Sequence, residues 1–148
     1  MTAIPAHHVI RVGQIAVYFR LDASQTAGHF TMFEFRVPVH ARVPVPHSHE
    51  AFYETIYGLD GVTSWTVDGH PVGVGPGEVL FIRRGVVHHF ENRGDVEARA
   101  LSVVTPGLLG PSYFREIGEI VNAGGPPDIP RIMAVMQRHG LRPVPPAA

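Results

Sequence analysis

The chain contains no cysteine, which excludes a disulfide framework and any metal site built on thiolates. It also lacks an apolar run that approaches the ~20 residues of a transmembrane helix. Residues 1–10 show no basic segment followed by an apolar one, so we see no secretory signal and expect a soluble, cytoplasmic protein without membrane contact. Any metal must therefore be held by histidine and carboxylate side chains.

An excess of charge of either sign is also missing. Lys and Arg number 12, Asp and Glu number 13, and the formal net charge is −1. This balance gives no support for binding to nucleic acid or to an anionic membrane surface. With 148 residues the chain is close to the typical size of one domain. A chain of that length can bury enough surface in a single core to fold alone. We predict a single domain over residues 1–148.

Glycine and proline, with 16 and 14 residues, are spread along the chain and divide it into short segments, as turns do between strands. Phe33, Phe35 and Val37 alternate with charged residues, which is the period of a half-buried strand. The predicted strands are 14–21, 29–37, 51–57, 62–67, 70–74, 79–82, 88–92 and 98–105. Asp68-Gly69 is typical of a type I′ hairpin turn. Strands this short favour an antiparallel sandwich or barrel, with a core at about 14–105.

Beyond residue 105 the apolar residues recur at helical spacing. Ser112 is predicted to cap a first helix, which Gly124-Gly125 ends, and Asp128 to cap a second, which Gly140 ends. We expect this extension, at about 111–140, to pack on the barrel or on a partner subunit in a homodimer. The proline-rich segment 142–146 predicts an extended tail or arm.

His47 and His49 are the first of the residues that can carry chemistry. They are two positions apart, so on an extended segment both side chains face the same side. Glu54 lies at an odd offset from His49, and an unbroken strand would place it on the opposite side. The three side chains converge only if the chain bends at Glu50-Ala51, and we predict such a bend.

His88 adds a third imidazole, because it shares its strand face with Phe90 and can point to the same interior. Three imidazoles and one carboxylate suit a divalent metal with open coordination positions. A lone buried histidine is more often a core residue than a ligand, but four residues at ligand spacing would each need a separate explanation. We predict a divalent transition metal; the sequence does not distinguish Fe, Mn, Ni, Co and Zn.

The two histidine segments also carry a family resemblance. Residues 47–61 read His-x-His-x4-Glu-x6-Gly, and residues 77–92 read Gly-x5-Arg-x-Gly-x2-His-x3-Asn. With these motifs the chain resembles the cupin superfamily over about residues 25–105, apart from Ala41 at a usual glycine and Arg83 at a usual proline. The resemblance implies an all-β cupin jelly-roll barrel, an antiparallel double sheet, with short C-terminal helices. It also implies metal binding by His47, His49, Glu54 and His88.

Candidate substrate contacts come from the strands around this cluster. Thr63 and Trp65 share a strand face that, by analogy with cupins, lines the barrel, although core packing explains them equally well. Arg83 places a cation near the expected pocket mouth. Apolar pocket lining is usual for small-molecule sites, but four residues are better explained as core, namely Phe52, Ile56, Phe81 and Phe90. The candidate contacts are Thr63, Trp65, Arg83 and Phe90.

The resemblance, which extends to bacterial cupins described as quercetin-dioxygenase-like, implies a metal-dependent enzyme. The expected reaction is a dioxygenation of an enolisable or phenolic small molecule, flavonol-like or β-dicarbonyl, with Glu54 as catalytic general base. Two alternatives stay open. A redox-neutral isomerase, cyclase or lyase could use the same metal and the same carboxylate, or the barrel could bind a small molecule without catalysis.

Overall fold

The computed structural model describes residues 1–3 and 8–145 of the chain. Eleven strands and two helices lie in these ranges. The strands are β1 His8–Val12, β2 Ile15–Leu21, β3 Thr31–Val37, β4 His47–His49, β5 Tyr53–Asp60, β6 Thr63–Val67, β7 His70–Val74, β8 Val79–Ile82, β9 His88–Glu91, β10 Ala98–Thr105 and β11 Leu141–Pro143. The helices are α1 Pro111–Val121 and α2 Ile129–Arg138.

The strands form two antiparallel sheets that enclose the core. One sheet has six strands in the order β1-β2-β3-β10-β5-β8, and the other has five in the order β11-β4-β9-β6-β7. Alternate residues of the central strands face inward, so Phe33, Phe35 and Val37 of β3 are all buried. The predicted all-β jelly-roll architecture is confirmed, and each predicted strand is present with small shifts in its ends.

The turn prediction at Asp68-Gly69 is also confirmed. The backbone φ angles are 50° at Asp68 and 77° at Gly69, and a type I′ turn needs positive values at both positions. This turn joins β6 to β7, whose register runs from Val67 opposite His70 to Thr63 opposite Val74.

The barrel begins earlier than predicted, because residues 8–12 form β1 and pair with β2. The pairing starts at His8, which lies opposite Phe19. Ile10 supplies the reason, since its buried side chain adds to the core. An isolated inward residue in a short edge strand leaves only a weak periodic pattern in the sequence.

The prediction of a C-terminal tail over 142–146 is wrong for its first residues. Leu141 lies opposite His49 in β11, which pairs with β4, and the Leu141 side chain is only 1% exposed. The N–H of Val144 extends the contact by donating to the carbonyl oxygen of Pro46 at 2.8 Å. A proline-rich composition favours extended backbone, but only the folded barrel provides the free strand edge that such a segment joins. Residue 146 lies outside the described residues.

Helix α1 packs against β1 and begins two residues earlier than predicted. Its N-cap is Gly110, with Pro111 in the first helical turn, so the prediction of Ser112 as the cap is wrong. A proline is favoured there because that position needs no N–H donor. Gly118 allows a close approach to β1, since a Cβ at this position would lie 2.7 Å from the carbonyl oxygen of Arg11.

Helix α2 begins where the sequence predicts. The carboxylate of Asp128 accepts a hydrogen bond from the N–H of Arg131 at 3.2 Å, which is the N-cap interaction. Ile132 and Met136 are buried, and Met133 is half-buried. Neither helix in the described ranges is long and apolar enough to cross a membrane.

The contact between β11 and β4 leads to a stability prediction. Leu141→Ala removes a fully buried side chain and should lower the free energy of unfolding by about 2–5 kcal/mol. Leu108→Ala is the matched control, because Leu108 is 53% exposed and such a surface change costs within about 0.5 kcal/mol. Urea denaturation of both variants measures the difference. Equal stabilities would contradict the structural role of β11.

Candidate metal centre

Three histidines meet inside the barrel because two short strands are neighbours in the five-stranded sheet. His47 of β4 lies directly opposite His88 of β9, and His49 follows on the same face. The ring centroids are 4.8 Å apart for His47 and His88, and 4.5 Å apart for His49 and His88. One ring nitrogen from each residue lies within 4.8 Å of the others. These three histidines are positioned to bind a metal.

Glu54 reaches the histidines from the opposite sheet. The chain bends at Glu50 and Ala51, as predicted, and passes from β4 in the five-stranded sheet to β5 in the six-stranded sheet. Glu54 then faces inward and is 5% exposed. Its Oε1 lies 3.8 Å from Nε2 of His49 and 3.7 Å from Nε2 of His88. The carboxylate thus faces the imidazoles across the barrel.

Backbone carbonyls orient two of the imidazoles. The Nδ1 atom of His47 lies 3.1 Å from the carbonyl oxygen of Val45, and Nδ1 of His88 lies 2.9 Å from that of Val86. A carbonyl can only accept a hydrogen bond, so each Nδ1 carries a proton, and in a neutral imidazole that tautomer leaves the lone pair on Nε2. Hydrogen bonds of this kind fix the tautomer in many metal sites.

The protonation states also fit metal binding. Burial, reinforced by the neighbouring imidazole of His88, lowers the pKa of His47 from its ordinary value of 6.5 to about 3. The same causes, burial first, lower the pKa of His49 well below its usual range. Both rings are therefore neutral at pH 7, the form that a metal ligand needs.

Unpaired atoms give an independent indication that the centre takes a ligand. Nε2 of His88 and Nδ1 of His49 are buried, and neither has a hydrogen-bond partner in the described part of the chain. A buried polar atom without a partner costs about 1–3 kcal/mol. A metal held by His88 Nε2 would relieve that cost at this atom, so the donor set fits a divalent transition metal.

Ser102 holds the carboxylate and was missed by the sequence analysis. Its hydroxyl donates a short hydrogen bond to Oε2 of Glu54, and the serine is fully buried in β10. Ala100 and Val104 are the inward-facing residues on either side of it. A hydroxyl in an otherwise apolar inward row was the available signal, because a buried hydroxyl needs a polar partner.

The histidines and Glu54 lie on the wall of an internal cavity of about 60 Å³. The rest of the wall is mostly apolar and comes from both sheets and both helices, including Val17, Phe33, Phe35, Phe114, Ile117 and Met136. Of the candidate substrate contacts, Trp65 and Phe90 line this cavity. Thr63 lies behind Trp65 and accepts a hydrogen bond from its indole Nε1 at 2.8 Å.

Arg83 lies outside this cavity, in an open cleft of about 540 Å³ that it shares with Tyr53, Arg84 and Arg142. The prediction that Phe81 belongs to the core is wrong, since its side chain is 54% exposed. Ile82 takes the inward position of β8, and the period of two turns Phe81 outward, where it stacks on Tyr53 with ring centroids 5.6 Å apart.

Comparisons with known proteins identify a family and several similar proteins. A model of the cupin domain family matches residues 33–104. The chain is 34% identical over 103 residues to quercetin 2,3-dioxygenase of Bacillus subtilis; the match covers 68% of this chain and 29% of that protein. The chain therefore spans less than a third of this relative's length.

Two solved structures are also similar. The polyketide cyclase RemF from Streptomyces resistomycificus is 27% identical with a TM-score of 0.61, over 75% of this chain and 82% of that one. A predicted oxalate decarboxylase from Thermotoga maritima is 24% identical with a TM-score of 0.60, over 64% and 82% of the two chains. The second likeness concerns the fold alone.

The histidine cluster leads to a prediction about metal content. His49→Ala removes a buried imidazole of the cluster, so the purified variant should retain little metal. His70→Ala is the control, because His70 is exposed in the β6–β7 hairpin. Mass spectrometry of purified proteins gives the ratio of metal to protein. Equal metal content in both variants would contradict the assignment of His49 as a ligand.

The lowered pKa values also predict the pH dependence of the metal-free protein. Between pH 6.5 and about 3 the unfolded chain protonates His47 and the folded protein does not, so stability should fall as the pH falls through this range. Thermal unfolding after chelation, from pH 7 to pH 4, measures the decrease. His47→Gln should make it shallower, and His70→Gln should leave it unchanged. An identical decrease in all three proteins would show that the protonation of His47 does not cause the loss of stability.

Proposed function

The chain belongs to the cupin superfamily, and on that premise we propose that it is a metal-dependent dioxygenase acting on a small enolisable molecule. The observation that carries the proposal is the cluster of three histidines and one buried carboxylate on the wall of a mostly apolar cavity. The likeness to a quercetin 2,3-dioxygenase supports the reaction class. Both atoms of O₂ would enter the substrate, which balances the reaction without another reductant.

His47, His49 and His88 would hold the metal, with the Glu54 carboxylate beside them. A divalent transition metal bound there supplies Lewis acidity toward a substrate oxygen and, for a redox-active ion, electron transfer to O₂. The ligand set accepts Fe, Mn, Ni, Co or Zn. The apolar wall excludes bulk water from the reacting groups, which strengthens the electrostatic interactions among them.

Glu54 is the group that moves a proton. One carboxylate oxygen, Oε2, accepts the hydrogen bond of Ser102, while Oε1 faces the histidines. Oε1 can therefore accept the proton that an enolisable substrate loses, and Ser102 keeps the carboxylate pointed at that proton. A general base needs this reach and orientation before its proton affinity matters.

The cavity size selects among the substrate classes. A volume of 60 Å³ has room for roughly four water molecules, or about 120 Å³ of liquid. A β-dicarbonyl compound such as acetylacetone is of that order, whereas a flavonol is far larger. We therefore favour a β-dicarbonyl or a similarly small carbonyl compound over a flavonol.

A redox-neutral cyclase or isomerase is the second candidate. The likeness to the polyketide cyclase RemF, at 27% identity over 75% of this chain, favours it. Proton transfer by Glu54 from a carbon next to a carbonyl serves a cyclisation or an isomerisation equally well, and no oxidant is needed. The two candidates differ in their need for O₂ and for a redox-active metal.

Oxygen uptake by protein loaded with Fe(II), Mn(II), Ni(II) or Zn(II), with acetylacetone as substrate, tests the proposal. We expect uptake of one O₂ per substrate molecule with at least one of the first three metals and none with zinc, which has no redox chemistry. Glu54→Gln should lower kcat by about 10²–10⁴-fold and keep most of the bound metal. Glu97→Gln, at an exposed glutamate, is the matched control.

Two results would overturn the dioxygenase assignment. Absence of O₂ uptake with acetylacetone and with other diketones, catechols and flavonols, for every metal, would remove it. Full turnover by the zinc-loaded protein without O₂ would replace it with the redox-neutral reaction. Wild-type kcat in Glu54→Gln would remove the carboxylate from the catalytic role.

A further inference from the structure

Tyr113 is a polar side chain in the cavity that neither the motifs nor the proposed chemistry uses. It is the third residue of α1, its side chain is 5% exposed, and it lies on the cavity wall among apolar neighbours. Trp65, another cavity residue with a polar hydrogen, already donates its indole N–H to Thr63. The phenol of Tyr113 therefore stands out as a donor that faces the cavity with its hydrogen free.

The hydroxyl of Tyr113 makes no hydrogen bond within the described residues, and it is not one of the fully buried unpaired atoms, so its oxygen borders open space on the cavity wall. Hydroxyl groups in a mostly apolar interior are usually hydrogen-bonded, either to protein or to a bound molecule. A molecule in the cavity can supply the missing partner.

Packing holds the Tyr113 ring in place. Its centroid lies 5.0 Å from that of Phe114 and 5.4 Å from that of His139, both in edge-to-face arrangements. His139 is itself fixed by a short hydrogen bond to the carboxylate of Glu116. A ring held on two sides loses little further freedom when its hydroxyl binds a ligand, so the donor is preorganised.

The electrostatic setting keeps this hydroxyl protonated. Burial, together with the negative charge of Glu54, raises the pKa of Tyr113 above its ordinary value of 10.0. The group is therefore a neutral donor at physiological pH. Tyr113 and Glu54 both line the cavity, so one ligand there can contact both side chains.

We propose that Tyr113 binds the substrate by donating a hydrogen bond to a carbonyl or enolate oxygen of the molecule in the cavity. This inference rests on the proposed function for the nature of that molecule, a small carbonyl compound. It adds a specificity-determining contact, because a hydrocarbon of equal size would leave the hydroxyl unpaired. Discrimination against a ligand that lacks the matching polar group is often large for this reason.

Binding of acetylacetone to zinc-loaded protein, followed by isothermal titration calorimetry, tests the contact without any turnover. Tyr113→Phe should weaken binding by roughly 3- to 10-fold, the usual size of one neutral hydrogen bond. Tyr57→Phe is the matched control and should bind as the wild type does, because Tyr57 is 44% exposed on the outer face of the barrel. Metal content should be the same in all three proteins.

Thermal unfolding of the same proteins supplies the second readout. A hydroxyl without a protein partner contributes no hydrogen bond to the fold, so Tyr113→Phe should have a Tm equal to or above that of the wild type. A Tm lowered by several degrees with unchanged affinity would show a structural role and overturn the inference. Equal affinity in both proteins, or no binding of acetylacetone by the wild type, would also overturn it.

The two proposals can fail separately. Zinc-loaded protein that binds acetylacetone through Tyr113, while no metal supports O₂ uptake, would contradict the dioxygenase and leave the contact standing. Oxygen uptake by the wild type, together with an unchanged KM in Tyr113→Phe, would support the dioxygenase and contradict the contact made by Tyr113.

Discussion

The pairing of β4 with β9 is the constraint on which the rest of this structure depends. A single register pair, His47 opposite His88, brings the two histidine segments together. β4 has only three residues, and it is held by β11 on its other edge and by the N–H of Gly85, which donates to the carbonyl oxygen of His49 at 2.8 Å. The position of the candidate metal ligands therefore depends on backbone pairing with residues 141–143, near the C-terminal end of the described chain.

Polar atoms inside this barrel are divided into two kinds. Nδ1 of His47, Nδ1 of His88 and Oε2 of Glu54 each have a partner in the protein, which fixes the orientation of the side chain. Nε2 of His88 and Nδ1 of His49 are buried without a partner among the described residues, and the hydroxyl of Tyr113 on the cavity wall makes no hydrogen bond with them either. Since an unpaired polar atom is costly in an apolar interior, the second kind marks where the ligands of the site belong.

Predictions from the sequence succeeded where a local rule decides the structure. The turn at Asp68-Gly69 follows from backbone φ preferences, the cap at Asp128 from the unpaired N–H groups of a helix start, and the bend at Glu50-Ala51 from side-chain parity. They failed where a distant partner decides it. Residues 141–143 became a strand because β4 had a free edge, and Phe81 turned outward because Ile82 took the core position.

The sequence by itself determined the all-β class, the alternation of the strands and the identity of the histidines and the glutamate that meet, because these depend on residue types and spacings along the chain. Only the tertiary structure decided the size of the cavity, the support of Glu54 by Ser102 and the placement of Tyr113 on its wall. Those features join segments that are far apart in the chain, and their geometry depends on how two sheets and two helices pack. No local pattern contains that information.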